Sequence, residues 1–505
     1  MLFVSTRGKS GTVSSAHAIK EGLAEDGGLF VPRRFPQIAL DDILAMHEKT
    51  YARCATQILA CFLTDYTEEE LQACAEAAYS PEKFGPDPAP LKKVSEFTDV
   101  LELWHGPTMA FKDIALQILP HLMTRAQKKT GDESKIAILT ATSGDTGKAA
   151  LAGFADVPGT EILVFYPENG VSPIQKLQMT TQKGVNTKVF GIRGNFDDAQ
   201  KGVKKIFGDR ALLEELEEHS WILSSANSIN WGRLAPQITY YFRSYAEAVA
   251  KGRIKAGEKV LFSVPTGNFG DILAGYYARK MGLPVKRFIC ASNANNVLTD
   301  FINTGVYDRQ RELIRTESPS MDILVSSNLE RLLFDITDND EEQVAAWMTE
   351  LAEQGRYQVP EKVAEQIRHL FFGVWADHQE TLDTIGKVYN DYSYVLDPHT
   401  AVAWCAAQKY RLLSSDETYT IVLSTASPYK FCYTVLAGLG KNEGISEDRP
   451  FEAARKLFAE TGWTEGEGSR LPRQIEELET ADVLHKEVVE KEAMTEAVRN
   501  TLIIL

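Results

Sequence analysis

The sequence predicts an α/β fold that is built on mostly parallel β-sheets. From about residue 97 onward, short apolar runs that suit buried strands alternate with stretches of helical spacing. Turns rich in glycine and serine lie between several of these runs and the helices that follow them, as is typical of βαβ units. Because 505 residues are too many for one simple core, we expect two or more packed units.

Changes of pattern along the chain predict three regions. Residues 1–95 are mixed and mainly helical, and Thr67 with the acidic run behind it predicts a capped helix start. Residues 96–440 carry the alternation of strands and helices, and within them residues 134–235 form a smaller subdomain. Residues 441–505 are acidic and helical, and we expect a C-terminal helical segment there.

The strands are predicted from short apolar runs that are bounded by turn residues. A looser alternation at residues 100–104 indicates one further short strand. The predicted strands span residues 135–140, 161–166, 189–192, 221–223, 259–264, 285–291 and 419–423.

The helices are predicted from apolar residues at helical spacing and from capping residues. Pro120 lies inside the first of the central helices, so we expect a kink or an early break there. Ser172 followed by Pro173 is typical of a helix cap and first position. The predicted helices span residues 114–128, 149–155, 172–182, 196–207 and 231–250, with another ending near residue 281 and a charged helical region at 330–388.

The composition argues against several classes of protein. The net charge of −16 disfavours a general nucleic-acid binder, which would need a basic face. No apolar run approaches the roughly 20 residues of a membrane span. The nine histidines form no H-x-x-x-H or H-E-x-x-H pattern, so we expect no metal site. The six cysteines form no C-x-x-C pair, which predicts free thiols and a cytoplasmic setting.

Lys112 lies in an apolar stretch, between a predicted strand and a predicted helix. A lysine amine in an apolar pocket is disfavoured as a cation, so its pKa falls and it becomes nucleophilic. Such an amine can hold an aldehyde cofactor as a Schiff base. The spacing alone fits a surface lysine that caps a loop at least as well.

Two glycine-containing loops each follow a predicted strand and open a predicted helix. In Gly267 to Asp271, backbone N–H groups can converge on an anion at the helix N-terminus, although an ordinary tight turn has the same pattern. Ser143 to Gly147 offers hydroxyls and backbone donors for a carboxylate or phosphate. It is not a nucleotide-binding P-loop, because Gly144 and Gly147 are too close and Lys148 is followed by alanine.

Four motifs resemble, in the same order, those of threonine synthases, which are pyridoxal phosphate (PLP) enzymes of fold type II. They are His-Gly-Pro-Thr-Met-Ala-Phe-Lys-Asp at 105–113, Ser-Gly-Asp-Thr-Gly at 143–147, Pro-Thr-Gly-Asn-Phe-Gly-Asp at 265–271 and Ser-Thr-Ala-Ser-Pro at 424–428. The resemblance covers roughly residues 1–440. It implies two mostly parallel sheets flanked by helices, with an N-terminal mainly helical region and a PLP-binding catalytic region at 96–440.

The resemblance also implies roles for individual residues. Lys112 is the catalytic residue and carries PLP as a Schiff base. Thr425 hydrogen-bonds the pyridine nitrogen of PLP, although a core threonine at the end of a strand has the same pattern. The other implied cofactor-binding residues are Gly267, Asn268, Phe269, Gly270 and Asp271. The implied substrate-binding residues are Ser143, Gly144, Asp145, Thr146, Gly147, Ser228, Asn230 and Arg233.

Asp145 is a point of difference within the wider fold. Many relatives of fold type II have Asn at this position, whereas the branch of threonine synthases that this chain resembles commonly has Asp. The sequence leaves open which group faces the ring hydroxyl of PLP. Arg233 could pair with the substrate phosphate in bidentate fashion, but an arginine at the head of a helix is more often a surface residue.

The resemblance implies conversion of O-phospho-L-homoserine and water to L-threonine and phosphate, the last step of threonine biosynthesis. Two alternatives remain at this point. One is a threonine synthase-like phospholyase that gives 2-oxobutyrate, and the other is a PLP-fold binding protein without catalysis. The implied partner is a small-molecule substrate, and the sequence does not distinguish a monomer from a homodimer.

Overall fold

The structure, a computed structural model, describes residues 1–142, 144–462 and 471–504. Its strands are β1 (Leu2–Ser5), β2 (Val13–Ser14), β3 (Phe30–Pro32), β4 (Leu91–Lys93), β5 (Thr98–Glu102), β6 (Lys135–Ala141), β7 (Thr160–Pro167), β8 (Thr187–Arg193), β9 (Trp221–Ser224), β10 (Val260–Pro265), β11 (Val285–Ser292), β12 (Val306–Asp308), β13 (Arg356–Gln358), β14 (Phe371–Trp375), β15 (Thr420–Ser424) and β16 (Val488–Glu490).

Helices cover the faces of the sheets, and short 3₁₀ turns join some of them. The helices are α1 (Ser15–Glu21), α2 (Leu40–Leu44), α3 (Tyr51–Ala60), α4 (Glu68–Ala78), α5 (Pro81–Phe84), α6 (Lys112–Leu116), α7 (Leu119–Lys129), α8 (Asp145–Phe154), α9 (Pro173–Thr180), α10 (Phe196–Phe207), α11 (Arg210–Glu218), α12 (Trp231–Leu234), α13 (Ile238–Ala250), α14 (Gly270–Lys280), α15 (Val297–Thr304), α16 (Leu329–Ile336), α17 (Glu341–Gln354), α18 (Glu361–Leu370), α19 (His378–Tyr392), α20 (Pro398–Ser414), α21 (Cys432–Gly438), α22 (Pro450–Thr461), α23 (Arg473–Thr480) and α24 (Met494–Arg499).

Two mostly parallel sheets form the framework, which confirms the predicted fold class. The larger sheet has six strands in the order β14-β11-β10-β15-β5-β4, and only the edge strand β4 is antiparallel to its neighbour. The smaller sheet has five parallel strands in the order β16-β8-β7-β6-β9. A three-stranded antiparallel sheet, β2-β1-β3, lies in the N-terminal region.

Most predicted elements are present, and the exceptions have local causes. The helix predicted from residue 114 breaks before Pro120, so α6 and α7 are separate, as expected. The helix predicted at 231–250 is wrong as a single element, because a 3₁₀ turn that contains Pro236 divides it into α12 and α13. The region 330–388 is not wholly helical, since β14 and its aromatic residues join the larger sheet.

The last sixty residues, which the sequence predicts as a C-terminal helical segment, contain helices α22 to α24 and also strand β16. Helices α22 and α23 bury Leu457 and Ile475 in a core that they share with α20 and α21. Strand β16 instead pairs with β8 at the edge of the smaller sheet, and α24 packs Val498 against α10. The C-terminal residues therefore pack against both sheets.

Helices α6 and α8 approach each other closely, and each begins with a candidate functional residue. Lys112 is the first residue of α6 and Asp145 is the first residue of α8. The contact depends on Gly153, because a Cβ there would overlap the carbonyl oxygen of Leu116. The absence of a side chain at Gly153 therefore sets the separation between the two helices and between the loops that precede them.

We predict that Gly153→Ala destabilises the protein by about 2 kcal/mol or more, since the backbone oxygen of Leu116 cannot move without shifting α6. Urea unfolding measures the change. Gly208→Ala at the end of α10 is the matched control, because its Cβ would lie 3.6 Å from the nearest carbonyl oxygens, in ordinary contact. Equal stability of the two variants would contradict the argument.

Candidate active site

The candidate residues lie in loops at the carboxyl ends of strands in both sheets. In the larger sheet these loops follow β5, β15 and β10, which are neighbours or next neighbours. In the smaller sheet they follow β6 and β9, which are also paired. Because parallel strands end at the same edge of a sheet, residues that are far apart in the sequence meet there.

Backbone hydrogen bonds fix the lysine loop against the segment that contains Thr425. The amide of Phe111 donates to the carbonyl of Thr425 over 2.9 Å, and the amide of Ser427 donates to the carbonyl of Met109 over 3.1 Å. Lys112, at the start of α6, therefore follows directly after a residue whose backbone contacts Thr425. Side-chain conformations play no part in this pairing, so it is a property of the backbone.

Lys112 has the properties of a nucleophilic amine. It is half-buried, and its amine has no hydrogen-bond partner within the described ranges. Burial lowers the pKa of Lys112 to about 8; the charge of Asp145 opposes this shift, while Lys430 and Arg233 reinforce it. Roughly a tenth of the amine is therefore uncharged at pH 7, far more than for an ordinary lysine.

Asp145 is the centre of a buried polar cluster. Its carboxylate accepts hydrogen bonds from Lys430 Nζ at 2.5 Å, Gln175 Nε2 at 3.1 Å and Ser320 Oγ at 3.1 Å. Burial alone would raise the pKa of Asp145, but the charges of Lys430 and Lys112 outweigh burial and hold that pKa well below its usual range. The carboxylate is consequently ionised.

Three lysines lie in this region, and their environments differ. Lys430 is fully buried and forms the ion pair with Asp145. Lys148 donates to Gln182 Oε1, and burial lowers its pKa to about 8, opposed by the charge of Asp113. Lys112 alone of these three has neither an ion pair nor a hydrogen bond in the described structure.

The loop at Gly267 to Gly270 is shaped to bind an anion. Phe269 has a φ of +66°, a left-handed conformation that turns the chain into α14. A Cβ at Gly267 would lie 3.2 Å from the carbonyl oxygen of Ser320, so a side chain has little room. The amides of Gly267, Asn268 and Phe269 have no protein acceptor among the residues described. Free amides at a helix N-terminus attract phosphate.

Asp271 and Thr425 differ in what their side chains can offer. The Asp271 carboxylate accepts hydrogen bonds from the hydroxyls of Tyr240 at 2.5 Å and Tyr241 at 2.9 Å. Burial raises the pKa of Asp271 to about 6, against the effect of those two hydrogen bonds. Both bonds end on Oδ1, whereas Oδ2 of Asp271 is buried without a hydrogen-bond partner among the described residues. Thr425 is buried, and its hydroxyl lacks a protein partner within the described residues.

The loop before α8 is braced from below by Thr142. Its hydroxyl oxygen accepts hydrogen bonds from the amides of Gly144 at 3.0 Å and Gly147 at 2.9 Å. Gly144 has a φ of +147°, and a side chain there would overlap Gln175. The half-buried Thr146 lies between these glycines, and Ser143 lies outside the described residues.

The segment after β9 contains one candidate cation and two residues with structural contacts. Asn230 donates to the carbonyl of Ile19 at 2.9 Å and accepts from the amide of Gly232 at 2.8 Å, so its side chain is committed. The carbonyl of Ser228 accepts a long, 3.4 Å hydrogen bond from Asn328. Neither of these contacts leaves a side-chain group directed by the structure toward a ligand.

Arg233 is buried, contrary to the surface position typical of such arginines. Its Nη1 donates to the carbonyl of Ala226 at 2.5 Å, while its Nε has no partner in the described part of the chain. Burial lowers the pKa of Arg233 to about 10. A buried guanidinium without a carboxylate partner is costly, so the site has positive charge available for an anionic ligand.

The sequence analysis missed Lys430, Ser320 and Gln175, all of which contact Asp145. Lys430 lies only five residues after Thr425, just beyond the motif at 424–428, and a second lysine there was a usable signal. Ser320 and Gln175 gave no such signal, because neither belongs to a recognisable motif. Ser320 is held from the other side, where its amide donates to His399 Nε2 at 3.2 Å.

The arrangement fits PLP. An amine without a partner at Lys112 suits its aldehyde, the free amides of the Gly267 loop suit its phosphate, and the Thr425 hydroxyl suits its ring nitrogen. Among the described residues no group of three or more histidine, cysteine and acidic side chains could hold a metal ion. No helix in those residues is both long and apolar enough to cross a membrane.

Comparison with known families covers almost the whole chain. Residues 2–79 match the family described as "Threonine synthase N terminus", and residues 95–362 match "Pyridoxal-phosphate dependent enzyme". Residues 400–500 match "Threonine synthase, C-terminal". The three matches follow one another without overlap, and the second contains Lys112 and both glycine loops.

Individual relatives agree with the family matches. "Threonine synthase" of Schizosaccharomyces pombe is 38% identical over 458 residues, which are 85% of this chain and 87% of that protein. Human "Threonine synthase-like 1" is 40% identical over 435 residues, but the chain spans only 58% of its length. The crystal structure of PLP-bound threonine synthase from Brucella melitensis superposes with a TM-score of 0.87 at 34% identity and covers 100% of both chains.

The lowered pKa of Lys112 predicts a pH-dependent stability of the protein without cofactor. Below about pH 8 both the folded and the unfolded chain carry the proton, and the buried cation destabilises the fold. As the pH rises from about 8 to 10.5, the folded chain loses this proton first and stability increases. We therefore predict that Lys112→Met is more stable than the parent by about 1 to 2 kcal/mol near neutral pH.

Urea unfolding at about pH 7 and pH 11 checks this, because the difference should disappear at the higher pH. Lys204→Met is the matched control, since Lys204 is exposed on α10 and should show no such pH-dependent gain. A Lys112→Met protein that is less stable at neutral pH would show that the amine is solvated or paired.

Proposed function

Because the chain belongs to the threonine synthase family of PLP-dependent enzymes, we propose that it converts O-phospho-L-homoserine and water to L-threonine and phosphate. The observation that carries the proposal is the excess of buried positive charge around one unpaired amine. Lys112, Lys148 and Arg233 are buried or half-buried without an ion pair, and two phosphates would supply the missing anions.

Lys112 is the residue that would hold the cofactor and move protons. Bound PLP supplies an electron sink that stabilises negative charge at the carbons of the substrate. With a pKa of about 8, the Lys112 amine takes the proton from the substrate Cα and returns protons to the carbon chain. Removal of a proton from Cβ supplies the electron pair with which phosphate leaves from Cγ. Water then adds at Cβ and protons return to Cγ and Cα, in a pocket where α6 and α8 fix the lysine.

The remaining site residues bind and orient. We assign the cofactor phosphate to the amides of Gly267, Asn268 and Phe269, together with Gly270 and Asp271 at the start of α14, and the ring nitrogen to Thr425. We assign the substrate carboxylate to the loop from Ser143 through Gly144, Asp145 and Thr146 to Gly147. Arg233 is assigned to the substrate phosphate, and Asn230 supports it through its carbonyl, which accepts a hydrogen bond from the Arg233 amide at 2.9 Å; Ser228 lies in the same segment.

The proposal extends to organisation and setting. The catalytic region comprises residues 96–440, and residues 134–235 form its smaller subdomain, which the C-terminal β16 completes. All six cysteines are free, which agrees with a reducing cytoplasm. A small-molecule substrate is the partner that the buried, positively charged site accommodates.

We predict that the PLP-loaded protein releases phosphate and threonine in equal amounts from O-phospho-L-homoserine. Lys112→Ala should lower this turnover by several orders of magnitude. Phosphate and amino-acid analysis measure both. Lys204→Ala, an exposed change, should retain activity. Phosphate with 2-oxobutyrate would show a phospholyase, and a PLP-bound protein that releases no phosphate would contradict the proposed reaction.

Arg233→Met should raise the KM for the phosphorylated substrate by about 10- to 100-fold with a smaller effect on kcat, because a charge-assisted hydrogen bond to the phosphate is lost. Steady-state kinetics separate the two constants. Arg210→Met, at an exposed position of α11, is the matched control and should leave KM unchanged. An unaltered KM in the Arg233 variant would remove this residue from the phosphate site.

A further inference from the structure

We propose that Lys430 is a positioning residue that neutralises Asp145 and thereby leaves Lys112 without a carboxylate partner. The inference deepens the proposed function and rests on it, because it concerns the lysine to which that function assigns the cofactor. It starts from an unusual feature, which is a second lysine fully buried beside the first.

The geometry joins Lys430 to Asp145 rather than to a ligand. Its Nζ lies 2.5 Å from Asp145 Oδ1 and 3.0 Å from the carbonyl oxygen of Thr108. Both of these acceptors belong to loops of the site, and the side chain of Lys430 has no exposed surface. Lys430 is thus fixed between the lysine loop and the start of α8, where solvent cannot replace it.

The other positions around Asp145 are also filled. Gln175 donates to the same oxygen as Lys430, and Ser320 donates to the second oxygen. The carboxylate therefore has donors on both oxygens before any ligand binds. An ionised carboxylate whose charge is already balanced gains little free energy from taking a proton from Lys112 or from forming a salt bridge with it.

The charges that act on Lys112 come from three elements. Asp145 on α8 raises the pKa of Lys112, whereas Lys430 in the 3₁₀ turn after β15 and Arg233 on α12 lower it. The adjacent Asp113 is turned away, because Thr108 donates to both of its oxygens. The Asp145–Lys430 pair therefore presents Lys112 with nearly no net charge.

Loss of Lys430 should reverse this balance. In Lys430→Met the Asp145 carboxylate loses its nearest cation, and Lys112 becomes the remaining lysine that acts on it. The Lys112 amine should then hold its proton more tightly. In the double variant Asp145→Asn with Lys430→Met, both charges are gone and the Lys112 amine should behave as in the parent protein.

The test measures the proton affinity of Lys112 directly, in the full-length protein freed of cofactor. The protein is labelled with trace acetic anhydride across a pH series, and mass spectrometry quantifies the acetylated peptide that contains Lys112. Since only the neutral amine reacts, the pH of half-maximal labelling reports its pKa. No substrate or PLP is needed, so failure of the proposed reaction leaves this result unaffected.

We expect the midpoint of the parent protein near pH 8 and that of Lys430→Met higher by about one pH unit or more. The double variant and the charge-conserving Lys430→Arg should both lie near the parent. If Lys430 had only a structural role, Lys430→Met would lower stability but would not shift the labelling midpoint in this pattern. An unchanged midpoint in Lys430→Met would overturn the proposal.

If Lys430→Met does not fold, the comparison of the parent with Lys430→Arg and Asp145→Asn still decides. Asp145→Asn removes the charge that raises the Lys112 pKa and retains Lys430, so its midpoint should fall below that of the parent. A midpoint at or above the parent value in Asp145→Asn would overturn the proposal equally. Circular dichroism of each variant confirms that folded proteins are compared.

Discussion

A lysine amine that is buried with no carboxylate at its side is the constraint on which the rest of this site depends. Removing a charge from water is costly unless a partner or the loss of a proton compensates. Lys112 has no such partner, because the carboxylate of Asp145 is already bound by Lys430, Gln175 and Ser320. Burial therefore lowers the pKa of Lys112 to about 8, so the amine loses its proton more readily than an ordinary lysine and can react with an aldehyde.

The fold supplies the rigidity that such a site needs. The lysine loop is hydrogen-bonded to the Thr425 segment through backbone atoms, and the loops on the two sheets are brought together through α6 and α8. Each of these supports acts on main-chain positions rather than on flexible side chains. The reacting groups therefore stay aligned while substrate and product exchange.

Residues 318–331 contact both glycine-containing loops, the one that begins at Gly267 and the one before α8. Most of this segment precedes α16 and lacks regular structure. Ser326 Oγ donates to the carbonyl of Gly267 at 2.7 Å, and the amide of Asn328 donates to the carbonyl of Asn268 at 3.1 Å. Arg331 holds Asn328 in turn, through a 2.6 Å hydrogen bond. The same segment reaches Asp145 through Ser320 Oγ, so it contacts both loops.

The sequence by itself determined the features that depend on neighbouring residues. Thr67 caps a helix as predicted, Pro120 ends the helix before it, and the glycine loops follow strands as their turn residues indicated. The position of Lys112 at the start of a helix was also predicted. Each of these follows from backbone preferences that act over a few residues, and so can be read from a single stretch of chain.

The tertiary structure alone decided which charges meet. Asp145 and Lys430 are 285 residues apart, and nothing in either motif specified the other as its partner. It also placed Asp271 Oδ1 against two tyrosine hydroxyls and the side-chain amide of Asn230 against the carbonyl of Ile19, contacts that the motifs containing these residues did not indicate. Ion pairs and buried hydrogen bonds depend on distance and burial after packing, and these are set by the arrangement of the whole chain rather than by local sequence.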